Sequence, residues 1–572
     1  MFTKNRFLSD NNLSILYRLS IVVLLSLIIS VNVILGVFGD LDHDHHLNQI
    51  PLSFPILTSS FLNDSTPSVT EHDSSPLRVA IIGGGPGGTS ISYFLSKLAN
   101  ISGNQLETHL FDKADYLGGR AKVIYPFEEP DRYPPIEAGA SIFVKANRHL
   151  FKAVDQFNLT IDSFDDPSLK ELAIWDGTEF AFRETGRSWV DKIKLMWRYG
   201  KAPLQLDSIT TKTTTRFESI YSSEFNSKGP FDNLDDWAIA TGLSDLLTVT
   251  ASYNLVEQEG INVQAVNELV ASATRCNYGQ DVSTIHALGA LVSLAGSEGY
   301  SIKGGNRQIY ENFATRSGAK LHLSRQVTSI SRVKGSQERG ETPISKFVLG
   351  SRRTNNRSVG SHEQELDNDL PFDVVVLAAP FHQTRFDRLD VGRLNSIPDQ
   401  PFVHLHVTLL VTNLTSPSAK LFGGAENERA PRSIYSTMMR NVLGAGKRPI
   451  FNSLNYIRNI GKREGVIGDM NVVKIFSEGE MSDETLGELF KSSENILWLK
   501  RIEWDSYPIL NPLKSKSSFT PTKLADSFYY LNGFESLIST METQTVSAWN
   551  VANLITRDRW NFKANQTWFE MV

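Results

Sequence analysis

Three glycines, Gly83, Gly85 and Gly88, and one aspartate, Asp112, have the types and spacing that most directly specify chemistry in this 572-residue chain. The glycines stand at dinucleotide-binding spacing in GGGPGG, with Pro86 and Gly87 between the last two. A glycine turn of this form lets the backbone lie against a pyrophosphate where a Cβ would collide. Asp112 lies 24 residues beyond Gly88, where a carboxylate reaches ribose hydroxyls, and Lys113 follows it. An acidic residue there favours an unphosphorylated ribose, hence FAD or NAD over NADP. YLGGRA then supplies Gly118, Gly119 and Arg120. Its paired glycines again allow close approach, and the arginine can face a phosphate.

These residues need a strand, a tight turn and a helix to position them. Val79 to Ile82 is an apolar run of strand length, and Ile91, Phe94, Leu95 and Leu98 follow at helical spacing. That helix would aim free N–H groups and its dipole at the phosphates. Leu106 to Phe111 reads as the second strand and ends at Asp112.

Farther along, Arg275, Asn277, Tyr278 and Gln280 form a polar cluster before an apolar stretch, Ile285 to Leu294, with the composition of a buried helix. Arg275 could meet a substrate carboxylate and Tyr278 could line a pocket, although such a cluster is more often a satisfied cap and turn. His286 beside apolar residues reads more readily as a core histidine than as a base. Residues 148–290 read as helical and irregular, 333–370 as an exposed polar excursion, and Asp373 to Pro380 as a fully buried strand. Val403 to Asn413 alternates like a strand, WDSYPILNP from Trp504 reads as a loop, and a strand, a turn at Asn532-Gly533 and a helix from Leu537 to Ile555 close the pattern.

Composition narrows the classes. Hydrophobic residues make up 41% of the chain, enough for more than one core, and the net charge of -6 argues against nucleic acid. Cys276 is the only cysteine, so neither an intrachain disulfide nor a cysteine metal cluster can form, and no metal is expected. Lys4, Arg6 and Arg18 precede an apolar run from Leu19 to Phe38, long enough to cross a bilayer. Both a cleaved signal and a retained anchor satisfy that pattern, and the basic flank predicts a lumenal or extracellular body. Sequons at Asn63, Asn100, Asn158, Asn356, Asn413 and Asn565 fit the secretory pathway.

Four segments together resemble one family. GGGPGG with YLGGR, NYGQ before an apolar helix, EGYSIKGGN, and YYLNGFES with SAWNVANL are similar to prenylcysteine oxidases, also called prenylcysteine lyases, over about residues 77–560, with residues 333–370 and the N-terminal stretch outside the match. The resemblance implies an α/β fold: a Rossmann-like FAD-binding domain of the glutathione-reductase/amine-oxidase type with an inserted α+β substrate domain. The expected segments are 1–76 as signal peptide or signal anchor plus linker, 77–147, 295–388 and 520–572 as FAD-binding, and 148–294 and 389–519 as substrate domain. It further implies that Gly139 and Ala140 of IEAGASIF pass under the flavin, that Val327 meets the adenine through its backbone, and that Gly533 and Glu535 stand where a helix N-terminus faces the flavin. The implied reaction is lumenal, often lysosomal or vacuolar. A hydride passes from the prenyl carbon on sulfur to FAD, water traps the thiocarbenium, and the hemithioacetal collapses to cysteine and a prenyl aldehyde. Dioxygen becomes hydrogen peroxide. Membrane association through the N-terminal helix and the lipid substrate goes with this picture. Competing expectations are another amine-oxidase-like flavin oxidase or desaturase acting on a lipid or amine, and a non-catalytic prenyl-binding carrier. The intact glycine and aspartate set and the export signal argue against the carrier.

Overall fold

The computed structural model describes residues 75–163, 171–297, 299–334, 345–354, 370–438, 447–564 and 566–571. The apolar run at 19–38 and the sequons at Asn63, Asn356 and Asn565 lie outside them. Among the described residues no helix is long and apolar enough to cross a membrane.

Leu77–Ile82 lies in the middle of a six-stranded sheet, between Val374–Leu377 and Leu106–Phe111, paired in parallel to both. Phe528–Tyr530 and Lys320–His322 extend it in parallel on the two sides, and Lys523–Ala525 closes one edge antiparallel. Strands covered on both faces read as unbroken apolar runs, which is why LRVAII and VVVL show no alternation. The dinucleotide helix, Pro86–Ser102, packs on one face between the helix Arg307–Ser317 and the C-terminal helix, Met541–Trp560. Phe94, Leu98, Phe313, Leu554 and Trp568 fill that layer. Phe347, Leu349 and Ile330, from a three-stranded sheet, cover the other face.

A second, seven-stranded sheet draws its strands from Leu172–Trp175, Phe180–Arg183 and five strands between Phe402 and Pro508. One face packs on Tyr133, Ile136 and Ala138. Helices from residues 188–294 build a separate core around Trp237, Leu247 and Leu288.

Several local expectations are corrected. Residues 148–290 contain strands as well as helices. Ser345–Arg353, within the supposed excursion, pairs along Arg325–Lys334, because its alternating residues bury Phe347 and Leu349. WDSYP is the end of the strand Ile496–Pro508, held to Phe402–Thr412 across a bulge at Val403/His404. The final helix starts at Met541, not Leu537, since Thr540 caps it and Asn532–Ser536 forms a 3-10 turn before it.

Candidate functional site

A cavity of about 1170 Å³ runs from the glycine turn to the seven-stranded sheet. At its first end Gly83, Gly85, Pro86, Gly87, Asp112, Lys113, Gly119 and Arg120 form the wall. The three motif glycines are not equivalent. A Cβ on Gly83 would lie 2.4 Å from the Ala378 carbonyl oxygen, just past the neighbouring strand, and one on Gly88 would lie 1.8 Å from that of Gly83, so packing of the protein demands both. A Cβ on Gly85 would meet nothing nearer than Gly119 Cα at 3.8 Å. The space beside Gly85 is the cavity. Gly85 is the N-cap of the dinucleotide helix and supplies no side-chain cap, leaving the first N–H groups toward that space.

Asp112 closes this end. Its Oδ2 accepts from the Gly84 amide at 2.6 Å and its Oδ1 from the Ala114 amide at 2.7 Å. Burial nevertheless pushes its carboxyl above the ordinary aspartate value, with the two amides opposing. Each oxygen keeps lone pairs for a ribose hydroxyl.

Arg120 sits deeper. It donates to the Ser506 carbonyl oxygen and to Oε1 of Glu535, which is 1% exposed. Burial pulls the guanidinium down, but the Glu535 carboxylate outweighs it and holds Arg120 protonated above its ordinary value. Glu535 thus backs Arg120, and neither it nor Gly533 is on the wall: a Cβ on Gly533 would press on Thr520 at 2.9 Å. Gly139 and Ala140 are on the wall, yet a Cβ at Gly139 would strike the Arg120 carbonyl oxygen at 2.1 Å and Trp504 at 2.8 Å, so its smallness serves protein packing first. Val327 is buried in the core with Phe111 and is absent from the cavity wall.

The far end is lined by Leu288, Leu291, Ile457 and Leu405 with Tyr278, Tyr435, Tyr456, Tyr507 and Trp504. Glu137, Asp162, Glu184, Arg458 and Asp505 also line the cavity, with Arg458 paired to Asp162 at 2.6 Å. Lys474 lies in it. Its Nζ donates to the Glu137 carbonyl oxygen at 2.8 Å and to Ser141 Oγ at 2.7 Å, and burial lowers it to about 8 despite Glu137. Burial raises Glu137 to about 7, against the Asn306 amide that donates to its Oε1, while its Oε2 has no protein partner.

The polar cluster is divided by the fold. Tyr278 lines the cavity and donates to the Ser539 carbonyl oxygen at 3.3 Å. Arg275 does not reach the wall and is corrected as a carboxylate clamp. Its guanidinium is 2% exposed and is consumed by Ser436 Oγ, Asn452 Oδ1, Asp281 and Glu478. His286 caps the helix Ala287–Leu294: Nδ1 accepts from the Gly289 amide and Nε2–H donates to the Ser536 carbonyl oxygen. Burial lowers it to about 4, so it is a neutral structural histidine.

Two polar wall residues stand outside every motif of the sequence. Gln544, 4% exposed, has neither amide atom hydrogen-bonded, and its Oε1 would lie 3.3 Å from a Cβ on Gly87. A polar group in the cavity, such as a pyrophosphate, would complete this orphaned buried amide beside the glycine turn. The other is Lys474. Gln544 had a signal, one turn into a helix already suspected of facing the cofactor; Lys474 had none within an apolar strand. Among the described residues one group brings metal-ligand donors within 4.8 Å, His404, His406 and Glu503, on the half-exposed to exposed face of two paired strands.

A family model described as prenylcysteine lyase matches residues 182–567, and one described as an NAD(P)-binding Rossmann-like domain matches residues 81–157. Farnesylcysteine lyase of Arabidopsis thaliana is 32% identical over 531 residues, covering 88% of this chain and 93% of its own. Prenylcysteine oxidase 1 of Rattus norvegicus is 27% identical over 505 residues, covering 86% and 91%. Among solved structures, putrescine oxidase bound to putrescine superposes with a TM-score of 0.52 at 14% identity, covering 84% of this chain and 99% of that one. Cyclohexylamine oxidase from Brevibacterium oxydans gives 0.50 at 13%, covering 85% and 99%. At these identities the two structures establish the fold alone.

Proposed function

The chain belongs to the prenylcysteine lyase family, and from that premise we propose that it is a flavin-dependent oxidoreductase that cleaves the thioether of prenylated cysteine. The net reaction takes prenylcysteine, dioxygen and water to cysteine, a prenyl aldehyde and hydrogen peroxide. The observation that carries this reading is the continuity of one cavity from a dinucleotide cradle to a chamber of tyrosines and leucines. Its volume of about 1170 Å³ exceeds the roughly 300–1,000 Å³ usual for one small ligand, which supports a nucleotide and a lipid tail sharing it.

FAD is the flavin proposed. Gly85 and Gly87 with Gln544 would hold the pyrophosphate, Asp112 the ribose, and the segment Gly139–Ala140 the ring system. Bound flavin supplies a two-electron oxidant for the carbon next to sulfur. The protein's part is position and exclusion of bulk water. The tyrosine and leucine chamber orients the isoprenoid. Lys474, whose third ammonium proton is left by Glu137 and Ser141, takes the carboxylate of the cysteine head in place of Arg275. Location in the secretory pathway, lysosome, vacuole or cell exterior is proposed on the N-terminal run and on exposed sequon asparagines at 100 and 158. The named relatives are lyases and oxidases, which leaves the carrier reading without support.

The test is aerobic incubation of purified protein with farnesylcysteine, reading aldehyde, cysteine and peroxide together. Equal amounts of all three are expected. A pigmented protein that forms none of them from farnesylcysteine overturns the substrate, and a protein that stays colourless after reconstitution with FAD overturns the cofactor.

A further inference from the structure

The helix Ser188–Tyr199 shows an unusual surface. Its inner face buries Asp191 and Tyr199, with Leu195 packed on the helical core. Its outer face carries Trp189, Ile193, Met196 and Trp197 at 67%, 45%, 50% and 94% exposure, at positions i, i+4, i+7 and i+8 that share one stripe. Leu204, 53% exposed, stands at the start of the next helix, Ala202–Glu218. Five large apolar side chains within sixteen residues of chain are a patch, not scattered surface residues.

Charge frames the patch. Lys192 and Lys194 flank the stripe on its two sides, Arg187 precedes it and Lys201 follows it. Lys194 also lies over the Phe182 ring, and Arg198 turns away to pair with Glu268. The one acid on the helix, Asp191, points inward and accepts from Thr185 N and Oγ1, while Asp207 is exposed on the following helix. Tryptophans and aliphatics on one side with lysines at the flanks are the pattern of a helix lying in a bilayer interface. Lysine stems can bury while their ammonium groups reach phosphate.

We infer that this helix face docks the protein on an anionic bilayer surface and sets the mouth of the cavity against the lipid. The second helix joins the two: Leu204 is at its exposed end, while Thr213, Thr214 and Phe217 line the cavity. Ten residues at 1.5 Å rise separate them by about 15 Å. Leu172 and Glu184, beside the strand that leads into the docking helix, line the same wall. A lipophilic substrate leaving the bilayer would pass along this helix into the chamber. The surface is independent of which lipid thioether is cleaved.

The test uses the full chain with vesicles of equimolar phosphatidylcholine and phosphatidylserine carrying brominated acyl chains, which quench tryptophan at the interface. No tryptophan precedes Trp175, so the N-terminal apolar run is silent in this measurement. Quenching is expected for the wild-type protein and its loss in the Trp189→Phe/Trp197→Phe variant. Trp189→Glu/Trp197→Glu should lower quenching-detected binding about tenfold or more while leaving turnover of detergent-dispersed farnesylcysteine unchanged. Undiminished quenching in the phenylalanine variant, or binding as strong to pure phosphatidylcholine, overturns the proposal. So does a wild-type dimer broken by the glutamate variant with no vesicle binding, which would assign the patch to a second copy of the chain.

Discussion

Arg120 and Glu535 form an ion pair across 415 residues of chain, with the carboxylate side fully enclosed. Glu535 also accepts from Asn532 Nδ2 and Ser539 Oγ, and Arg120 also donates to the Ser506 carbonyl oxygen. This contact therefore ties together the second glycine turn, the long strand and the turn before the C-terminal helix.

Removing Glu535 leaves Arg120, 31% exposed on the cavity wall, without its counter-charge. Glu535→Ala is expected to destabilise the protein by about 3 kcal/mol, and Glu535→Gln by less, because the amide oxygen still accepts. Chemical denaturation of the two variants checks the order. Equal losses would show that the charge contributes nothing.

The glycines separate folding from cofactor binding. Gly85 has an ordinary backbone, φ −78°, and room for a Cβ, so Gly85→Ala should fold and lose flavin occupancy by about tenfold or more as the methyl fills the cradle. Gly88→Ala, driven into the Gly83 carbonyl, should not give soluble protein. The ratio of flavin to protein absorbance, read alongside circular dichroism, distinguishes the two failures.

Gln544 is a cost to the empty fold. Gln544→Leu removes two buried unpartnered atoms and should leave apoprotein stability unchanged or raised by about 1 kcal/mol. Flavin affinity should fall in the same variant. A drop in apoprotein stability would mean that the amide already has a partner.

Lys474 sets a pH signature. Its folded value of about 8 lies below the ordinary 10.5, so between these limits the unfolded chain holds a proton that the native chain has released. Stability then rises with pH across that window; at pH 7 the buried charge costs about 3 kcal/mol. Lys474→Met lacks this penalty. Its stability relative to wild type should be most favourable at pH 7 and fall as pH rises from 8 toward 10.5, in paired denaturation curves. The same variant should raise the Michaelis constant for farnesylcysteine more than for an analogue lacking the carboxylate.

Arg275→Ala, by contrast, should lower stability, because Asn452 and Ser436 lose a buried partner, and should raise the two Michaelis constants equally. A selective effect on the carboxylate substrate would restore Arg275 to the binding site.

The dinucleotide unit was legible in the sequence because each part is local. The first strand, turn and helix occupy Leu77 to Ser102, and the residues that shape the turn are within a few positions of one another. Asp112 was legible for the same reason, one strand farther on. Arg275 misled because, Asp281 apart, local sequence shows a cation but not its partners: Ser436, Asn452 and Glu478 are 161, 177 and 203 residues away. The strand Ser345–Arg353 was hidden because its polar residues face outward and its pairing lies with Arg325–Lys334.

The sequence by itself determined the glycine cradle, the ribose carboxylate and the family, since those depend on short-range backbone geometry and on motifs carried within single segments. Only the tertiary structure decided which charges reach the cavity. Lys474 was placed on its wall and Arg275 behind it by strand register and by the packing of one sheet against Glu137 and Ser141. Burial and partnership belong to the folded chain, and no window of residues contains them.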